Sequence, residues 1–215
     1  PLKMADGNWI MSGIRVSNGY EGVEGDLPAV AISHGDDLTR WDLVVIPVAP
    51  EEGRVWGESA VIFDGTRLLN ISHPRWGTDT HALVAFSEDC GRTWTTSASS
   101  NLPMVDSKPY AGTLSTGQNY LIATTTADSS RRPSNRRSPL TIAVGKPGEK
   151  SFSNLFVIRH AVFPDGPGPS AENYDLSYPY AVERDGKLYV GYSIKSHPTN
   201  ELAMIPVSAL SCSER

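Results

Sequence analysis

The chain of 215 residues is short of cysteine, of basic charge, of helical periodicity and of long apolar runs. Cys90 and Cys212 are its only cysteines, and they make no metal-ligand pattern. Nothing in their spacing demands a disulfide, so thiol content does not fix the redox compartment. Lys and Arg number 19 against 24 Asp and Glu, for a net charge of −5. A domain that grips phosphates carries a basic face, so no nucleic-acid partner is expected. No stretch nears the ~20 apolar residues of a membrane-spanning helix. The histidines show no metal spacing among themselves, and neither metal nor cofactor is expected. Apolar residues rarely recur at helical intervals, which argues against a helical fold. The chain opens at Pro1 without a basic-then-apolar leader, which implies removal by processing or a longer parent chain.

What the sequence has in quantity is turn residues, with 19 Gly and 16 Pro. Between them lie short apolar or alternating runs that read as strands. These are Trp9–Ile14, Pro28–Ser33, Leu43–Val48, Ala60–Phe63, Leu68–Ser72, Ala82–Ser87, Trp94–Ser97, Gly112–Ser115, Tyr120–Thr125, Leu140–Val144, Leu155–Ile158, Tyr180–Glu183, Leu188–Tyr192 and Leu202–Pro206. Hairpin turns recur at Asp6-Gly7, Asp64-Gly65, Thr116-Gly117 and Asp185-Gly186, spaced by 58, 52 and 69 residues. Asp-Gly supplies the positive φ angles that tight hairpin loops need. A repeat of this length made of antiparallel strands reads as β-propeller blades. The expected fold is all-β, with about four blades at roughly 1–50, 56–100, 108–160 and 174–210. The first blade is read as lacking its leading strand. Whether the chain is one propeller domain or part of a larger ring is left open, and open sheet edges would invite self-association.

One turn is specific. Ser87-Glu88-Asp89-Cys90-Gly91-Arg92-Thr93-Trp94 fits Ser-x-Asp-x-Gly-x-Thr-Trp, the Asp box. Its carboxylate can accept bonds from backbone N–H groups inside the turn, its Gly takes the left-handed position, and its Trp packs beneath. Ser33–Trp41 reads as a stretched copy in the first blade, and Val144–Glu149 as a turn without the box in the third.

Around the box stand Trp56-Gly57-Glu58-Ser59-Ala60-Val61, Arg137-Ser138-Pro139-Leu140 and Ser177-Tyr178-Pro179-Tyr180. In this order they resemble the sialidase (neuraminidase) superfamily, and in particular bacterial sialidase-like proteins with BNR repeats. The resemblance covers nearly the whole chain and implies the C-terminal four blades of a six-bladed propeller. It implies an exo-sialidase-like glycoside hydrolase acting on terminal acidic sugars by a retaining route. Tyr178 would be the nucleophile and Glu58 the residue that activates it. Arg137 would clamp the substrate carboxylate, a task suited to a guanidinium fork. The slot where the family carries a further arginine reads Thr80-His81-Ala82, so His81 takes it or Arg75 reaches in. The first arginine and the acid/base aspartate of the family belong to blades not seen in this sequence. A glycan substrate and a secreted or periplasmic location follow from the same resemblance.

The residues also carry plainer readings. Glu58 leads into an apolar strand, where an exposed carboxylate is the usual outcome. Arg131, Arg132 and Arg136 read as a solvated charge run, whereas Arg137 abuts a strand start. Lys108 and Tyr110 precede the inner strand of the third blade and are candidate pocket residues. Tyr178 and Tyr180 flank Pro179, and alternation is read as sending one to the core and the other to the pocket. Two further functions fit the scaffold. A polysaccharide lyase would use Tyr178 or His81 to remove a proton beside a uronate carboxylate held by Arg137. A non-catalytic glycan- or protein-binding module would need none of these roles.

Overall fold

The computed structural model describes residues 1–15, 26–52, 57–73, 81–125, 137–149, 151–160, 176–194 and 199–212. It is all-β, as expected. Its strands are β1 (Leu2–Lys3), β2 (Trp9–Arg15), β3 (Leu27–His34), β4 (Asp37–Val45), β5 (Ser59–Phe63), β6 (Leu68–Ser72), β7 (His81–Ser87), β8 (Ala98–Pro103), β9 (Tyr110–Thr113), β10 (Asn119–Thr124), β11 (Leu140–Val144), β12 (Asn154–Arg159), β13 (Leu176–Arg184), β14 (Lys187–Ile194) and β15 (Thr199–Pro206). They form four sheets of sequence-consecutive strands, β1-β2-β3-β4, β5-β6-β7-β8, β9-β10-β11-β12 and β13-β14-β15. No helix among the described residues is long and apolar enough to cross a membrane.

Three expectations need correction. The first sheet has a leading strand, β1, which at two residues is too short to leave a pattern in the sequence. Trp94–Ser97 is not a strand. The Trp94 indole is used by the turn before it, and strand β8 begins at Ala98. The turns are also not all of one type. Only Asp185-Gly186 has positive φ at both residues, +51° and +69°, as a two-residue hairpin requires. Met4–Asn8 and Leu114–Gln118 instead close five-residue turns. Each is held by a bond from its first amide to its last carbonyl, at 2.8 Å in both.

The chain divides into two compact units, Pro1–Leu102 and Pro103–Arg215. In the first, Ile10, Val30, Ile32 and Ile46 meet Leu68 and Ala85 across the space between two sheets. Fully burying one such aliphatic side chain is worth about 1.5–3 kcal/mol. In the second, Ile122, Leu140, Ile142 and Val144 pack with Leu188, Val190, Tyr192 and Ile194. Strand β14 buries that last row and turns its other side outward. The outward face of β13–β15 carries Tyr180, Val182, Leu202 and Met204, all more than half exposed. This sheet is apolar on both faces.

The Asp box locks the first unit together. Asp89 accepts bonds from the Arg92 and Thr93 amides at 3.1 and 2.9 Å. It also takes the Thr93 and Ser87 hydroxyls at 2.6 and 2.9 Å. The Ser87 hydroxyl accepts the Gly91 amide, and the Trp94 indole N–H donates to the Gly91 carbonyl. Cys90 and Gly91 are both left-handed, at φ +57° and +79°. With its polar groups satisfied internally, the turn lays Cys90 and Trp94 against the first sheet. A Cβ on Gly91 would stand 2.6 Å from Ile10 Cδ1.

The other two sites keep part of this bonding. Asp37 takes the Thr39 amide and hydroxyl, and the Trp41 indole donates to Leu38 O. In the third sheet Glu149 replaces the aspartate, accepting from the Lys146 amide and the Ser151 and Ser153 hydroxyls.

Two outcomes are expected. Gly91→Ala adds a clash to a left-handed backbone and should lower stability by about 2–3 kcal/mol in urea unfolding. Gly148→Ala, at φ +73° with nothing within 4 Å of the added carbon, should lose only about 1 kcal/mol. Equal losses would show that the Ile10 contact is unimportant.

The second outcome concerns acid. The Thr93 hydroxyl, the turn amides and Ser87 hold the Asp89 carboxyl down to about 2. A depressed carboxyl stabilises the fold above its unfolded pKa of about 3.9, and that contribution is lost as pH falls through about 2. Wild type should therefore lose more stability between pH 4 and pH 2 than Asp89→Asn does. Parallel acid titrations of the two proteins would refute this.

Candidate functional site

In an antiparallel sheet the first and third strands start at the same end. That geometry gathers most of the candidate residues of each unit at one end of its own sheets. Glu58 immediately precedes β5 and His81 opens β7. In the second unit Tyr110 opens β9, Lys108 stands two residues before it, and Arg137 stands three residues before β11. Tyr178 is the third residue of β13, the edge strand that opens the last sheet. Arg75 lies outside the described residues, as do Trp56, Arg131, Arg132 and Arg136.

The structure brings Arg137 and Tyr178 together. The Leu176 amide, at the start of β13, donates to Arg137 O at 2.9 Å. The Thr124 hydroxyl donates to Leu176 O at 2.7 Å, fixing the same corner from β10. The Arg137 guanidinium carbon then lies 5.8 Å from the Tyr178 ring centroid, and one of its nitrogens is buried. Tyr178 itself is 48% exposed.

Tyr178 has a left-handed backbone, φ +53°. An aromatic residue there is a true outlier, and the proline that follows restricts it further. A β-bulge between Ser177 and Tyr180 in the pairing with β14 accommodates it. The phenol is thus aimed by a strained backbone, a condition that clusters at functional sites.

Tyr180 does not take the core position that alternation was read to give one of the pair. Residues two apart share a face, so Tyr178 and Tyr180 both point outward and Pro179 is the buried one. Tyr180 packs on Tyr110 with ring centroids 4.8 Å apart, and Tyr110 lies 6.3 Å from Tyr120. The Tyr120 hydroxyl sits over Gly112, where a Cβ would stand 2.5 Å from it. Burial among these rings raises the Tyr110 and Tyr120 phenols above their ordinary value, so both remain neutral donors. Lys108 is exposed at the edge of this group. Tyr178, Tyr180, Val182, Tyr189, Asn200 and Leu202 line a groove on the outward face of the last sheet.

In the first unit Glu58 meets His73, which sequence reasoning did not single out. Glu58 Oε2 lies 3.2 Å from His73 Nε2. The His73 side chain is 3% exposed and that of Glu58 25%. Strand register is the signal that would have found it, because Ser59 pairs with Ser72 and sets the preceding and following residues opposite each other. Gly57 allows the close approach that places Glu58. At φ +70°, its missing Cβ would fall 2.5 Å from the Leu27 carbonyl. His81 is half-buried at the start of β7. Among the described residues no group of His, Cys, Asp and Glu is placed to hold a metal ion, and both cysteines are free thiols.

Several solved structures share this fold. A protein of unknown function from Dyadobacter fermentans superposes with a TM-score of 0.66 at 16% identity, over 94% of this chain and 50% of that one. The Trypanosoma rangeli sialidase in complex with 2,3-difluorosialic acid gives 0.58 at 17% identity, over 96% of this chain and 30% of the sialidase. The phage phi92 endosialidase gives 0.57 at 11% identity, over 92% and 33%. The chain therefore spans half or less of the length of these relatives, and its four antiparallel sheets are blades of a sialidase-like β-propeller. No curated protein matches it in sequence. The family model described as a BNR repeat-like domain matches residues 1–190, and the chain belongs to that family.

Proposed function

We propose that this chain carries the nucleophile and a carboxylate clamp of a retaining glycoside hydrolase acting on terminal acidic sugars. The observation that supports this reading above others is the approach of Arg137 to a strained, exposed Tyr178. A guanidinium binds a sugar carboxylate through paired, charge-assisted bonds. It thereby delivers the sugar within reach of the phenol. A neutral phenol approaches an anionic sugar without the repulsion that a carboxylate nucleophile meets.

In this reading the Tyr178 oxygen bonds to the anomeric carbon as the glycosidic C–O bond breaks. The phenolic proton is taken by a general base, the role that the family resemblance assigns to Glu58. The leaving oxygen takes a proton from an acid or from water. Water then cleaves the tyrosyl–sugar bond and restores the phenol. Among the structural relatives, the Trypanosoma rangeli sialidase is described as a covalent intermediate with 2,3-difluorosialic acid, which supports a covalent route on this fold. Lys108, Tyr110, His81 and Arg75 complete the proposal as substrate contacts, and a secreted or periplasmic location suits a glycan substrate.

The test is release of a chromophore from an aryl α-sialoside. Tyr178→Phe should abolish turnover, and Arg137→Ala should lower kcat/KM by roughly 10²-fold or more. Full turnover by Tyr178→Phe would sink the reading, and an ultraviolet-absorbing unsaturated product would favour the lyase instead.

The strain at Tyr178 adds a separate expectation. Tyr178→Asn, a residue tolerant of left-handed backbone, should raise thermal stability by about 1 kcal/mol while removing activity. A lower melting temperature would show that the strain is compensated by the phenol's own contacts.

A further inference from the structure

Glu58 and His73 form a directly opposed pair across β5 and β6. The ladder runs Phe63–Leu68 to Ser59–Ser72, and the next step outward sets Glu58 against His73. The His73 amide donates to the Glu58 carbonyl at 3.3 Å, so the backbone pairing continues one residue past both strands. Their side chains follow Ala60 and Ile71 onto one face of the sheet, where both of those residues are buried. The imidazole is therefore the enclosed half of the pair and the carboxylate the half that reaches solvent.

We propose that His73 is a positioning residue for Glu58. Its Nε2–H binds Oε2 and fixes the carboxylate rotamer. A buried imidazole has few rotamers to choose from, and its tautomer is set by the bond it makes. Glu58 is thereby held as a base before substrate arrives, rather than as a mobile strand-end carboxylate. The proposal rests on the reading of Glu58 as the residue that takes the phenolic proton.

The test uses the whole chain and two independent readouts. In nitrogen-15 spectra, His73 should show an Nε2–H proton that exchanges slowly with water at neutral pH, and Glu58→Ala should broaden or remove it. An absent signal, or one indifferent to Glu58→Ala, overturns the pairing whether or not the chain turns over substrate. In kinetics, His73→Leu should lower kcat by about 10²-fold with KM little changed. His73→Gln keeps an N–H donor near the same place and should restore most of that loss. Equal kcat values for the Leu and Gln variants would overturn the positioning role. Should His73→Leu fail to fold, the Gln variant and the spectrum of Glu58→Ala decide the matter alone. Loss of the aryl sialoside activity reading with the Nε2–H signal intact would separate failure of the proposed reaction from failure of the pair.

Discussion

The Asp89 carboxylate is the interaction on which the first unit depends. It absorbs two amides and two hydroxyls of its own turn. A turn satisfied from within needs nothing polar from its surroundings. It can be set hard against apolar atoms, and Gly91 meets Ile10 because no unmet N–H or C=O stands between them. The related turns show that the bonding pattern, and not the spelling, is what repeats. Asp37 does the same with the Thr39 amide and hydroxyl, while the Trp41 indole donates to Leu38 O. Glu149 does it with a longer side chain and three serine or backbone donors.

The same division of labour separates the core from the chemistry. Middle segments such as Leu121–Ala123 and Ile142–Val144 are buried and apolar, and leave no room for a charged group. The strand ends carry Glu58, His81, Tyr110, Arg137 and Tyr178. Polar side chains there can be held by a rigid ladder on one side and reach solvent on the other. Arg137 shows how tightly such a position can be fixed. Its carbonyl is bonded to the first amide of β13, so the guanidinium and the strained tyrosine two residues further on share one corner.

Much of the fold was legible because the apolar runs are short and sharply bounded. Leu68–Ser72 and Leu140–Val144 were read to the residue. Trp94–Ser97 misled because an indole suits a strand as well as it suits the underside of a turn. The site was legible in its residue types and only partly in its geometry. Nothing in Ser177-Tyr178-Pro179 announces a left-handed tyrosine, since a residue before proline favours extended backbone. The approach of Arg137 crosses from the threshold of β11 to β13, a distance no local pattern spans. His73 was hidden for a simpler reason. Its partner is fixed by the register of a hairpin, and register depends on how the turn at Asp64–Arg67 closes.

The two-sided apolarity of β13–β15 has a colloidal consequence. Tyr180, Val182, Leu202 and Met204 form an oily plane facing outward. The net charge of −5 opposes the approach of such planes on separate molecules. That repulsion reaches about 10 Å at 0.1 M salt and about 3 Å at 1 M. Added salt weakens that repulsion while leaving the apolar plane as it is.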